Sequence, residues 1–466
     1  MLYLCLSLPQ LPLEARQPLS DDPVAIIDRR GSKRWLIACN AGCSRAGIGP
    51  GMDATTATAL CPTIRLIDRS KQDEREALKS LAAWAEQFGS WVCFDADRLL
   101  LWIEIKTGLR YFGGIGVIRS RVEHGLNQLG YTCAAGVAPT LEAAALLSRI
   151  EDAPTIEHER QLATELDALP LGSLDLHDET AEALAGMGLR TIGDVSALPR
   201  DSVARRFDTE LIDYLDRLMG RQPDPRKPYK APRSYRRRFE LLGSVENTEG
   251  LLFPLKRMLG ELQGHLIARD TAVQEVHIEL AHDGVDPTRL EIRTTRPMRD
   301  AVRLFALVRE RLERTTLEHP VEDIVLSADK FLPLGDTQLE LLDGGKRRDD
   351  GWEDLLDKLR ARMGDGAVRQ LGLNDDHRPE HAWCVVNGKA AELQEPFPER
   401  PLWLVEPKPI HGLPKMIGKP ERIEAGWWDE QDQRRDYFTA EATDGSRLWL
   451  FRDADKDAWY LHGLWA

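Results

Sequence analysis

The chain has 466 residues, enough for several domains of roughly 100–200 residues each. Hydrophobic residues make up 42% of it, an ordinary share for a globular protein, and no apolar run is long enough to span a membrane, so no membrane partner is expected. The formal net charge of −14 excludes a generally basic nucleic-acid coat, so any contact with nucleic acid must come from local basic patches.

The opening MLYLCLSLPQLPLEAR is apolar from Leu2 to Leu8 and is then punctuated by Pro9 and Pro12. A secretory signal needs basic residues ahead of a longer apolar run, and Arg16 is the first basic residue here, so the stretch predicts a buried strand and a turn. VAIID and RWLIAC, joined by the turn-forming RRGSK, read as two strands; a glycine-rich turn and a short small-residue helix follow. A helix over 72–88 places Leu78, Leu81, Ala85 and Phe88 on one face, and RLLLWIEI (98–105) reads as a strand. Next come a helix near 115–128, a strand in TCAAGVA and a helix in LEAAALLSRI. Strands and helices that alternate in this way predict an α+β sheet layered with helices. The seven cysteines fit free thiols in a reducing cytosol, and Cys39 and Cys43 lack a second pair at zinc-finger spacing.

The texture changes near 165. ETAEALAGMGLRTIGDVSALP contains two short helices hinged on Gly186-Met187-Gly188, a helix-hairpin-helix pattern whose glycines permit close approach to a phosphate. RKPYKAPRSYRRR (226–238) then carries seven basic residues and no acidic one. Its prolines mark a linker and its charge suits tracking along a phosphate backbone; both readings can hold together. From 234 to about 335 the pattern is βαββαβ, with Leu290 and Ile292 facing the core and Arg289 and Arg293 opposite. A helix at 353–363 precedes a tail read as loop-rich and Trp-rich, either a small core or an interaction surface.

This succession resembles a Y-family translesion DNA polymerase, with palm, fingers, thumb and little finger. ACNAGCSRAGIGPGM with LCP is similar to the fingers motif, LRYFGG to a palm segment and MGLRTIGDV to the thumb. The resemblance implies palm at 1–20 and 71–164, fingers at 21–70, thumb at 165–225, a basic linker at 226–233 and a little finger at 234–335. A clamp-binding linker at 336–345 and a partner-interaction region at 346–466 would follow. Such polymerases hold two Mg²⁺ between an Asp on the first strand and an Asp-Glu pair on a later one. The first-strand equivalents here are Ser7 and Pro9; in DADRLLLWIEI the pair falls on Asp97-Arg98 or on Leu99-Leu100, according to register. The triphosphate-contacting Tyr and Arg of the fingers fall at Ala41 and Ser44.

The pattern therefore is similar to the non-catalytic, ImuB-like branch of this superfamily, and the tail agrees through NDDHRPEHAW, GWWDEQDQRRDYF and WYLHGLWA. That branch implies a DNA-binding scaffold of a damage-induced mutagenic complex, without cofactor and located in the cytoplasm at the nucleoid. Its partners would be primer-template DNA, the sliding clamp, an ImuA-type RecA-like protein and an error-prone DnaE-type polymerase. The alternative is an active, diverged polymerase using Asp97 and Glu104. DNA contacts are expected at Gly186, Gly188, Arg190, Lys230, Arg233, Arg236, Arg237, Arg238, Arg289 and Arg293. Of three QLxL strings, only Gln338-Leu339-Glu340-Leu341-Leu342 ends in a further hydrophobe between Gly/Asp flanks, as clamp-binding peptides do. His377 and His381 have metal-like spacing, but Pro379 between them favours a hydrogen-bonded turn.

Overall fold

In the computed structural model, strand β1 (Tyr3–Ser7) leads into a hairpin of β2 (Val24–Arg30) and β3 (Lys33–Cys39), with β4 (Arg65–Asp68) parallel to β2. The chain then returns through β5 (Val92–Asp95), β6 (Leu100–Glu104) and β7 (Ala134–Ala138) to build an antiparallel sheet of order β5-β6-β1-β7. The structure describes residues 1–16, 22–31, 33–334, 350–364, 368–374, 376–386, 399–426 and 432–465, in two compact units, Met1–Arg362 and Met363–Ala466.

β1 is apolar and buried from Tyr3 to Leu6 because it is central and covered on both faces. Leu4 and Leu6 pack under helices Lys71–Ala85 and Ile115–Gln128. Tyr3 and Cys5 point the other way, into a core shared with helix Leu141–Leu147 and with the helices of the 162–218 region. The strand expected over 98–105 begins only at Leu100. Ahead of it Asp95 accepts hydrogen bonds from the backbone N–H groups of Asp97 and Arg98, and Leu99 has φ +54°, so Arg98 and Leu99 belong to a tight turn.

The thumb-like body has helices Asp178–Gly186 and Ile192–Ser196 flanking the Gly188 turn (φ +82°), and the long helix Arg200–Leu218. The module after it follows the expected order: β8 (Tyr235–Val245), helix Leu252–Ile267, β9 (Thr271–Ala281), β10 (Thr288–Met298), helix Ala301–Glu313 and β11 (Val321–Ala328). Its sheet runs β10-β9-β11-β8. The module packs directly on the palm, and helix Leu252–Ile267 approaches closely enough that a Cβ on Gly264 would stand 2.1 Å from the Trp84 ring. Glycine is the residue that permits this approach.

The C-terminal unit departs from the loop-rich expectation. Strands Trp403–Pro409, Lys415–Ala425, Gln433–Glu441, Arg447–Asp453 and Ala458–Leu464 form one antiparallel sheet, and Gln370–Leu373 pairs with Trp383–Val386. Neither RDYF nor RLWLF alternates charged and apolar residues, so the period-2 mark of a half-buried strand is absent from the letters. The tryptophans divide between two roles: Trp449 is core, stacked at 4.1 Å on Tyr437, whereas Trp403 is 62% exposed. Trp427 and Trp428 lie outside the described residues. Pro379–His381 form a short 3₁₀ turn, and just ahead of it the Asp376 carboxylate takes the backbone N–H and guanidinium of Arg378.

His462 is fully buried in this unit. Its Nδ1 pairs with Tyr437 Oη at 2.8 Å, and Nε2 stands 3.6 Å from Glu380, which Arg435 holds at 2.6 Å. Burial pulls its pKa down to about 4, against the opposing pull of Glu380. The unfolded histidine protonates near pH 6.5, so this contribution to stability is complete above that value and fades as pH falls towards 4. Urea unfolding of the C-terminal unit should therefore lose up to about 3 kcal/mol across that window. In His462→Gln, the loss across this window should be correspondingly smaller.

Candidate nucleic-acid interface and palm ion-pair cluster

β1, the β5–β6 turn and helix Leu141–Leu147 meet at one end of the first sheet. Ser7 pairs with Leu100 and Ala134, and Leu8 N–H donates to Leu99 O before Pro9 enters the turn. Neither Ser7 nor Pro9 offers a carboxylate. Arg98 projects from the turn and donates from both Nη atoms to the two Glu142 oxygens at 2.9 Å, and from Nε to Asp175 at 2.8 Å. Arg149 reaches Asp175 at 3.1 Å. Arg226, the first residue of the basic run, joins Glu142 from the other side and lies 4.2 Å above the Trp102 ring. Burial pushes the Glu142 carboxyl up, but the hydrogen-bonded Arg98 and the charge of Arg226 outweigh it and hold it below the usual range.

The other carboxylates do not converge. Asp97 is exposed and pairs with Lys71 at 3.3 Å. Glu104 lies opposite Tyr3 at the far end of β6 and accepts from Lys106 N–H and Thr107 Oγ1. Leu100 to Glu104 is four strand steps, about 13 Å. Asp97 and Glu104 therefore cannot share an ion, which corrects the ligand set of the alternative reading. The donors gathered at this end, the Ser7 hydroxyl and the Arg98 guanidinium bound to Glu142, do not fit a divalent-cation pair, which needs several carboxylate oxygens. Among the described residues, one group of His, Cys, Asp or Glu is tight enough to share an ion, Glu275, His277 and Glu291 in the 234–335 module. The Arg293 guanidinium already reaches both of its carboxylates, at 2.6 and 3.6 Å.

The expected DNA contacts fall into three groups. Gly186 and Gly188 open on space, but the N–H groups of Met187 and Gly188 close the helix end. Arg190 and Thr191 N–H are capped by Asp194, so the hairpin offers glycine access and the exposed Arg190 side chain rather than a row of free donors. Lys230 and Arg233 are exposed on an extended segment pinned to the palm by Tyr229, whose N–H donates to Val92 O at 2.7 Å. Arg236, Arg238, Arg289 and Arg293 share the outer face of the module sheet. Each has a carboxylate neighbour: Glu279 at 3.8 Å, Asp323 at 2.6 Å, Glu279 at 3.3 Å and Glu291 at 2.6 Å respectively.

Arg237 is a correction. β8 alternates its side chains, so Arg237 points inward with Tyr235 and Phe239 and is 5% exposed, bound to Glu261 at 3.3 Å. It supports the core and has no access to phosphate. Gln338, Leu339, Leu341 and Leu342 lie outside the described residues. Of the other QLxL strings, Leu11, Pro12 and Leu13 are buried in a helical turn, and Gln370–Leu373 is a strand of the C-terminal hairpin. The sequence reading missed Glu142 and Glu261. Glu142 is a lone acid on an otherwise apolar helix, and Glu261 follows Arg257 by four residues on a mostly apolar buried face; both patterns mark a buried charge with a partner.

The class of protein follows from comparison with known chains. The impB/mucB/samB family profile matches residues 10–149. DNA polymerase IV of Shewanella halifaxensis is 22% identical over 59% of this chain and 78% of its own length. A solved DinB from Sulfolobus solfataricus is similar at 13% identity and a TM-score of 0.40, covering 72% of this chain and all of that one. Protein ImuB of Caulobacter vibrioides is similar over more of the chain, with 26% identity across 90% of it and 99% of the relative. The chain is thus similar to ImuB along most of its length and, over a shorter stretch, to DNA polymerase IV.

Proposed function

We propose that the protein is a non-catalytic DNA-binding scaffold of a mutagenic translesion synthesis complex, working in the cytoplasm at the nucleoid. The observation that carries this reading is Arg98. Its guanidinium is committed to Glu142 and Asp175, beside a first strand that ends in Ser7 and runs into Pro9, which supports a site that holds no metal pair. Primer-template DNA would lie along the thumb hairpin, the 226–233 segment and the module face. The Gln338–Leu342 peptide would dock on the sliding clamp, and the 346–466 region would engage an ImuA-type RecA-like protein and a DnaE-type polymerase.

Primer extension with Mg²⁺ or Mn²⁺ tests the reading: the protein should bind primer-template yet incorporate no nucleotide. Template-directed incorporation lost in Asp97→Ala would overturn it. Binding should weaken steeply with salt, because phosphate contacts release counterions. The joint change Arg236→Ala with Arg238→Ala should flatten that slope, while Arg237 is left intact for the core. Replacing Gln338, Leu341 and Leu342 with alanine should abolish co-purification with the sliding clamp and spare DNA binding. Burial of two leucines is worth roughly 3–6 kcal/mol before ordering costs, enough to decide association.

A further inference from the structure

The fingers-like body carries a charge pattern that folding does not explain. In the β2–β3 hairpin the register places Arg29 opposite Arg34 and Arg30 opposite Lys33, with Gly31 (φ +64°) at the apex. Two successive cross-strand pairs are therefore like-charged, an arrangement that destabilises a hairpin. Arg29, Lys33 and Arg34 are exposed, and among the described residues none of the three makes an ion pair within 4 Å. Of the nearby acids, Asp28 holds Arg69 at 3.1 Å, and Asp53 caps a helix through Thr55 N–H and feels the charge of Lys33 without an ion pair to it. This contrasts with the module face, where Arg236, Arg238, Arg289 and Arg293 all have carboxylate neighbours. Beside the cations stands Trp35, half-buried, with Lys33 Nζ 5.9 Å from its ring centre.

We infer that the tip of this hairpin, Arg29, Lys33, Arg34 and Trp35, is a contact site for single-stranded nucleic acid. Exposed cations without ion pairs neutralise backbone phosphates without first breaking internal ion pairs. An aromatic face beside them stacks an unpaired base, which a duplex keeps within its own stack. Charge alone would suit any polyanion; the adjacent indole selects the single strand. The inference rests on the DNA-binding reading above and adds a site to it.

Fluorescence anisotropy with the full-length protein tests it, using a labelled oligo-dT and a blunt duplex of equal length over a range of salt. The triple change Arg29→Gln, Lys33→Gln, Arg34→Gln should lower the magnitude of the oligo-dT salt slope by about 2 and weaken binding about tenfold or more. Because it removes like-charge pairs, it should leave the melting temperature unchanged or higher. Trp35→Leu should weaken oligo-dT binding about tenfold with the salt slope and duplex affinity unchanged. Parental affinity for oligo-dT in both variants overturns the site. Equal losses on single strand and duplex overturn the single-strand assignment. If the parent binds primer-template and the hairpin changes do nothing, only this inference falls; if the parent binds no DNA, the scaffold reading falls with it.

Discussion

Replacing Glu261 with alanine is expected to lower the stability of the 1–362 unit by about 3–5 kcal/mol, the cost of leaving a buried ion pair without one partner. Glu261 is 1% exposed and stands between two guanidiniums, Arg237 at 3.3 Å and Arg257 at 3.6 Å. Arg257 is buried too, stacked 3.7 Å from the Tyr131 ring, and Tyr131 Oη donates to Glu261 at 3.2 Å. The palm contributes Tyr131 and the module contributes the other three residues, so the network joins the two bodies. Without the carboxylate, two positive charges remain out of water and face each other. Urea unfolding should show the transition of the 1–362 unit move to lower denaturant, with that of 363–466 unmoved. An unchanged midpoint would mean that water reaches the network. The same geometry forecasts that a triple alanine change of Arg236, Arg237 and Arg238 would unfold the module, so loss of DNA binding in that variant would be uninterpretable.

Glu142→Ala should cost about 2–4 kcal/mol by the same logic. The effect is smaller because Arg98 and Arg226 keep 23% and 20% of their side-chain surface in water, and Arg226 retains its contact with Trp102. Because Arg98 also binds Asp175, the loss should loosen the thumb-like body against the palm, read as faster amide exchange in the 162–218 helices. The pH dependence has a definite sign. The Glu142 carboxyl is depressed in the folded protein, so its contribution is complete above the ordinary glutamate value of about 4.3 and is lost as pH falls below it. Glu142→Gln should remove that acid loss. A parental acid limb in Glu142→Gln would place the titration elsewhere.

Much of the architecture was legible in local pattern. The helix over 115–128 and the βαββαβ order appeared where apolar residues recur at helix or strand period, and Leu290 and Ile292 face the core as alternation requires. The apolar first strand announced a central position covered on both sides. The strand-rich C-terminal unit was less legible, since its strands are short of long apolar runs and its core is only a small set around Tyr437, Trp449 and Phe451.

What the sequence determined by itself is the type of each element and the absence of acids at Ser7 and Pro9, because these depend on neighbouring residues and on identity alone. What only the tertiary structure decided is the fate of each charge. In RRR at 236–238 the three residues are equivalent as letters, yet the pleat turns Arg237 to Glu261 and its two neighbours to solvent. A shift of one residue in register would reverse those roles. Arg98 finds Glu142 at a separation of 44 residues, and Arg226 reaches the same carboxylate from 84. The pairing of buried charges is set by which elements the packed core brings together, and no local pattern encodes that.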